Sequence, residues 1–278
     1  MTTYNFKSAI DNGWNPKWFG AEKFSSKLLD AIEDFQRANG LKPDGFCGPQ
    51  TFKVLKAQRP KENKIICGIN HFAINHKVVL WNDEGGLAAK KGCYRENYKM
   101  RDVKLMVNHW DVCKRSKDTI KIMNKKNISC QFLIDWDGCI YQTMNADHIA
   151  WHAGGRSWNN HSVGVEICNP YYTKYQDKRR PRPIMRRKKV HGRTMSEHLG
   201  FYPKQLTALK KLWKIMALAY GIPLQTPTNR DGSELGGVHK ESVDVKYRGF
   251  IHHYNLTRSK IDCGSLDLTV LIDEMNWK

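Results

Sequence analysis

The chain has 278 residues, with 46 Lys and Arg against 27 Asp and Glu, a formal net charge of +19 and a sequence pI near 9.6. That length can bury a sizeable core and suits one large and one small domain. Its 40% hydrophobic content is ordinary for a globular protein, and no apolar run is long enough to span a bilayer, which excludes a helical membrane protein. The excess of cations points to an anionic partner (nucleic acid, anionic lipid or an anionic wall polymer) without choosing among them. The opening Met1-Thr-Thr-Tyr-Asn-Phe-Lys7 lacks a basic stretch followed by an apolar one, so synthesis in a cytoplasm without a secretory signal is expected. Eight cysteines at 47, 67, 93, 113, 130, 139, 168 and 263 form no CxxC pair, which favours free thiols over a disulfide framework or a zinc knuckle.

Residues 1–60 read as a small helical module. From Ser26 to Gly40 the apolar residues Leu28, Leu29, Ile32 and Phe35 make a helical stripe, and Gly40 is a stop signal. A turn-rich loop, Leu41 to Thr51, follows, and Phe52 to Leu55 starts a short helix. Residues 59–66 are charged and read as a linker; from 61 to 100 the pattern gives only a linker and an N-terminal extension of the next domain. Arg101 to His109 alternates as a strand, and Asp118 to Asn124 reads as a helix. Ile128–Ile134 and Cys139–Gln142 flank Asp137-Gly138 as a hairpin. In Ser162-Val-Gly-Val-Glu-Ile167 the two-residue period puts Val163, Val165 and Ile167 on one face and Ser162, Gly164 and Glu166 on the other. Gly164 beside Glu166 predicts room for a substrate there, although an exposed strand glutamate is the commoner case. The basic stretch 172–193 shows no core face and reads as an exposed, mobile insertion, either solvated or a contact for an anionic surface. Pro203 to Tyr220 is the strongest helix, capped by Gly221, and Leu266 to Met275 closes the chain with another.

The chemistry concentrates in Gly249 to Gly264. Phe250 and Ile251 deliver His252 and His253, and ten residues after His252 comes Asp262, with Cys263 beside it and Lys260 two before. Imidazole with an anionic oxygen or sulfur is a zinc ligand set, and such a run supplies two of the three protein ligands that a catalytic zinc needs. Two structural histidines and a turn-capping aspartate explain the same run, so a third candidate is needed. His109, ending the strand that starts at Arg101, is placed to be one.

Two resemblances then bear on function. Phe35-Gln36, Gly40-Leu41, Asp44-Gly45, Gly48-Pro49, Thr51 and Leu55 look like the peptidoglycan-binding domain of many cell-wall hydrolases. Val107-Asn-His109-Trp110, Trp151-His152-Ala-Gly154, Ser162-Val-Gly-Val-Glu166 and His252 through Lys260-Ile-Asp262-Cys-Gly264 resemble the zinc-dependent N-acetylmuramoyl-L-alanine amidases of the type-2 family, which are related to peptidoglycan recognition proteins. This resemblance covers roughly residues 101–275 within a catalytic domain at 101–278. It implies an α/β fold with a mixed central sheet flanked by helices, preceded by the small all-α module, and hydrolysis of bacterial peptidoglycan. It maps zinc onto His109, His252 and Asp262, with His253 the rival of His252 and Cys263 the rival of Asp262. It makes Glu166 the general base, Lys260 an oxyanion donor, and Trp151 and His152 part of the substrate groove. Cys130 stands where some relatives carry a tyrosine. The module order looks like a phage endolysin or a wall-recycling or autolytic enzyme. A monomer is expected, with no specific nucleic-acid partner because no such motif is present.

Overall fold

The computed structural model describes residues 2–276; Met1, Trp277 and Lys278, at the ends of the expected 1–60 and 101–278 segments, lie outside the described residues. The N-terminal module contains α1 (Thr2–Asn12), α2 (Ser26–Ala38) and α3 (Pro49–Ala57) around Trp14, Leu28, Ile32, Phe52 and Leu55. Gly40, at φ +66°, takes the left-handed conformation that ends α2. The Phe35-Gln36 motif has a physical role. Gln36 is buried, its amide nitrogen donates to Asp44 Oδ1 (2.9 Å), Phe46 O (3.0 Å) and Thr51 Oγ1 (3.0 Å), and its carbonyl accepts the backbone N–H of Asp44 and Gly45. One side chain therefore shapes the whole loop between α2 and α3.

Residues 61–100 are more than a linker. The hairpin β1 (Lys64–Cys67) and β2 (Asn70–Ala73) buries Ile65 and Ile66 in the main core, and β3 (Val78–Leu80) is the edge strand of the main sheet. This stretch also holds the module in place. Asn145 Nδ2 donates to Ile10 O (2.9 Å), Trp81 Nε1 to Asp11 O (3.0 Å) and Asn82 Nδ2 to Asn12 O (2.6 Å), and Lys56 pairs with Asp83 at 2.9 Å. Gly13, at φ +71°, lies so close to Ile66 that a Cβ there would come within 2.6 Å of its Cδ1. The module is thus docked, not tethered. Removing residues 1–60 would expose Ile66, Trp81 and Asn145, so we expect the remaining chain to melt about 10 °C lower. An unchanged melting temperature in a thermal scan would mean that the docking contributes nothing.

The rest of the chain supplies β4 (Tyr94–Arg95), β5 (Leu105–Trp110), α4 (Ser116–Lys126), β6 (Phe132–Ile134), β7 (Ile140–Gln142), β8 (Ile149–Ala150), α5 (Arg156–Asn160) and β9 (Ser162–Ile167). After the basic stretch come α6 (Pro203–Tyr220), α7 (Lys240–Val243), the last strand (Gly249–His252) and a C-terminal helix (Leu268–Asn276). The six-stranded sheet runs from the last strand through β5, β9, β6 and β7 to β3; all neighbours are parallel except β6 and β7. α6 and the C-terminal helix cover one face, where Val163, Val165 and Ile167 meet Leu209, Leu212 and Trp213. α4 lies against the other, where Ile120 and Met123 meet Leu133 and Cys130. The α/β architecture expected from the sequence is the one observed, and all eight cysteines are free.

The basic stretch is largely exposed, as expected of an insertion, but it has regular structure of its own. It folds into two short antiparallel ladders, Ile184–Met185 with His198–Leu199 and Lys189–Val190 with Arg193–Thr194. Arg182 is buried and donates to Gly200 O, Cys168 O and Gln205 Oε1. At the tip His191 donates to Lys260 O at 2.9 Å, so the segment packs against the Lys260 loop.

Candidate active site

β5 and β9 run parallel with His109 opposite Glu166, so the two side chains emerge together on the face away from α6. On the α6 face, Asn108 Oδ1 accepts from Trp213 Nε1 (3.1 Å) and its amide donates to Ile251 O (3.0 Å), which fixes the strand from behind. The last strand pairs with β5 so that His252 lies opposite Asn108. His252 therefore faces away from His109. Its Nε2 lies 2.8 Å from Glu234 Oε1 and its ring stacks on Tyr254. The chain then enters a one-turn 3-10 helix, His253–Asn255, and His253 comes out on the His109 side.

The structure accordingly brings together His109, His253 and Asp262, and this corrects the expected register at His252 by one residue. His109 Nδ1 lies 3.0 Å from His253 Nδ1 and 3.0 Å from Asp262 Oδ2, and His253 Nδ1 lies 3.1 Å from Asp262 Oδ2. Cys263, the rival third ligand, is buried in the core with Leu266 and Leu268 instead.

The triangle tests whether a cation fits. Asp262 Oδ2 can only accept a proton, while each neutral imidazole nitrogen is a donor or an acceptor. If both Nδ1 atoms carry protons, the protons face each other across 3.0 Å; if either is bare, two lone pairs meet. Each arrangement of protons on neutral rings leaves a like-to-like contact, and a cation bound by all three atoms leaves none. The spacing is also close to the edge of about 3.3 Å that tetrahedral zinc bonds to nitrogen and oxygen would give.

Electrostatics agree with a cation-ready site. Burial, and then the positive ends of His253 and Lys260, hold His109 down at about 4 against an ordinary 6.5. Burial would raise Asp262, yet the two imidazoles beside it hold its carboxyl far below the usual range. Glu166 goes the other way: burial, then the charges of Asp111 and Asp262, push it well above a normal carboxyl, and its Oε2 has no partner among the described residues.

These shifts carry a sign for stability. His109 takes its proton near pH 6.5 when unfolded and near 4 when folded, so stability falls as pH drops through that window. His71, held at about 4 by burial and then Lys64, adds the same trend. Glu166 opposes it, since its raised pKa contributes stability at low pH that is lost as pH rises through the folded value. We expect metal-stripped protein to lose up to about 3 kcal/mol per histidine between pH 6.5 and 4 in urea titrations. Because Glu166 pulls the other way, NMR titration of the two imidazoles is the deciding check: a folded-state midpoint near 6.5 for either ring would show that it is not held neutral.

Outside the triangle, a cleft of about 710 Å³ is lined by Tyr94, Arg95, Trp151, His152, His253 and Lys260 among others. Trp151 and Lys260, both expected at the site, are exposed there. His152 sits behind His109, its Nδ1 3.0 Å from His109 Nε2. The space predicted over Gly164 is filled, because a Cβ there would lie 2.7 Å from His152 Nδ1 and 2.8 Å from Cys130 Sγ. Gly164 makes room for protein rather than substrate. Tyr94 and Arg95 were not legible in sequence, since they come from a two-residue strand paired with β8 and carry no periodic signal.

A family model described as N-acetylmuramoyl-L-alanine amidase matches residues 99–262, more than half of the chain and ending on Asp262. The chain belongs to this family. A second model, for a peptidoglycan binding domain, matches residues 17–55, within the helical module. The protein is thus a peptidoglycan amidase, acting on the bond between N-acetylmuramic acid and the L-alanine that starts the stem peptide. No curated protein matches the amidase chain. Among solved structures, an endolysin amidase, LysCS of Clostridium intestinale URNW, is similar at 12% identity over 72% of this chain and 95% of its own, with a TM-score of 0.40. The Ph2119 endolysin from the Thermus scotoductus MAT2119 bacteriophage is similar at 16% identity over 71% and 98%, also with a TM-score of 0.40. The amidase AmiD of E. coli is similar at 23% identity over 50% and 55%, with a TM-score of 0.32.

Proposed function

We propose that the amidase is zinc-dependent, with His109, His253 and Asp262 as the protein ligands. The observation that carries this is the buried triangle of two imidazole nitrogens and one carboxylate oxygen, all within 3.1 Å of one another, which neutral protonation does not satisfy. Bound there, zinc would polarise the scissile carbonyl and lower the pKa of the attacking water toward 7. Glu166 takes that water's proton and returns it to the leaving amine. Its raised pKa suits both steps, since a shuttle works best when poised near the working pH. Lys260, exposed at the cleft beside His253, donates to the oxygen on which negative charge develops. Trp151 offers an aromatic face to sugar or peptide.

We also assign the protein to wall lysis as an endolysin. The order of its parts, a wall-binding module followed by an amidase, supports this reading over a recycling enzyme. No helix among the described residues is long and apolar enough to cross a membrane.

Digestion of purified peptidoglycan followed by mass spectrometry tests the reaction. The expected products are free stem peptides with an L-alanine amino terminus and intact glycan strands. New reducing ends would mean a glycosidic cut, and binding without release would mean a recognition protein. Metal analysis should find about one zinc per chain.

A further inference from the structure

His109 uses one nitrogen toward the triangle, and what happens at its other nitrogen is decided further along the fold. Trp158 O is a backbone carbonyl and can only accept. Ser162 Oγ lies 2.6 Å from it, so the Ser162 hydroxyl proton points there and leaves an oxygen lone pair free. That lone pair faces His152 Nε2 at 3.2 Å, which must then carry a proton. A neutral His152 protonated at Nε2 is bare at Nδ1, and this nitrogen faces His109 Nε2 at 3.0 Å. His109 therefore carries its proton on Nε2, and its Nδ1 turns a lone pair toward His253 and Asp262. Starting from one carbonyl, the order of donors and acceptors is set throughout.

We propose that Ser162 and His152 form a positioning relay that locks His109 in the tautomer able to bind a cation through Nδ1. The proposal rests on the reading of His109 as a metal ligand. Several features hold the relay still. Asn159 Oδ1 accepts the backbone N–H of both His152 and Ala153, at 3.1 and 2.8 Å. The buried Arg101 donates to the backbone carbonyls of Asn159 and Ser162. Gly164, having no side chain, leaves the space that the His152 ring occupies. The other imidazole of the triangle has no such support, for the far nitrogen of His253 is buried with no partner among the described residues. The two histidines are thus inequivalent: His109 is held from behind through its far nitrogen and His253 is not. His152 has both nitrogens committed, so it is a positioning residue and not a spare general base.

Two measurements on the full chain test this. In metal-stripped protein labelled with ¹⁵N-histidine, long-range proton–nitrogen correlations should show His109 and His152 each protonated at Nε2. Protonation of His152 at Nδ1 would overturn the relay. Zinc affinity, measured by competition with a chromophoric chelator, should fall about 10–100-fold in His152→Ala, the usual cost of losing a hydrogen-bond partner behind a metal ligand. His152→Asn places an amide oxygen near the lost Nδ1 and should restore affinity to within about threefold of wild type. Wild-type affinity in the alanine variant, or no rescue by asparagine with the fold retained by circular dichroism, would overturn it. A wild-type chain that binds no zinc would overturn the metal reading instead, and the tautomer measurement would still decide the relay.

Discussion

His253→Ala is expected to lose zinc and amide hydrolysis together, falling to the level of metal-stripped wild type, while His252→Ala keeps the ligand set. The reason is strand geometry. His252 ends the last strand opposite Asn108, on the face that packs toward α6, and only the next residue reaches His109. His252 has a different task, because its Nε2 lies against Glu234, whose oxygen also accepts the backbone N–H of Leu268 at the start of the C-terminal helix. Burial works against the Glu234 carboxylate, but the His252 ring, the Leu268 N–H and Lys188 together keep its pKa below the ordinary value. Removing the ring leaves a buried carboxylate with only the Leu268 N–H to meet it, so His252→Ala should cost about 3 kcal/mol of stability while zinc remains. Zinc stoichiometry and melting temperature measured on both variants separate the two roles. Zinc retained by His253→Ala and lost by His252→Ala would reverse the assignment.

Glu166→Gln should leave folding and zinc content nearly unchanged and lower turnover by about 10²-fold or more, at least roughly 2.7 kcal/mol in the barrier. Burial and then the neighbouring Asp111 and Asp262 push the Glu166 carboxyl pKa well above its ordinary value, and glutamine matches the side chain in size and shape. Its strand position is secured independently, because Val165 and Ile167 are anchored under α6 on the opposite face. What glutamine cannot do is take up and release a proton. Steady-state kinetics on a soluble muropeptide measure the effect, and near-normal turnover would remove Glu166 from the mechanism.

Much of this molecule is legible in its amino-acid order. Pro203 to Tyr220 is the observed helix α6 at both ends, since the proline start, the apolar stripe and Gly221 are all local signals. The alternation of Val163, Val165 and Ile167 places Glu166 on the His109 face, because a two-residue period leaves only two choices. Less local features are not legible. Residues 64–80 contribute core and an edge strand, but their strands are three or four residues long and too short for a period to show. The basic stretch offers no core face in sequence because its anchor, Arg182, is a charged residue that meets backbone carbonyls brought to it by other segments.

The sequence by itself determined the helical module, the mixed sheet, the strand positions of His109 and Glu166, and the presence of a histidine pair close to Asp262. Which member of that pair meets His109 was settled by tertiary structure. Phe250 and Ile251 are both apolar and both fully buried, so polarity does not tell the two faces of the last strand apart. Its pairing with β5 does, by setting His252 opposite Asn108 and leaving the turn that follows to bring His253 around. The same holds for Gly164, whose missing side chain reads as open space until His152, twelve residues earlier in the chain, is seen to occupy it. Side-chain direction at a strand's end depends on the neighbouring strand, and neither pairing nor packing between distant segments is written in local order.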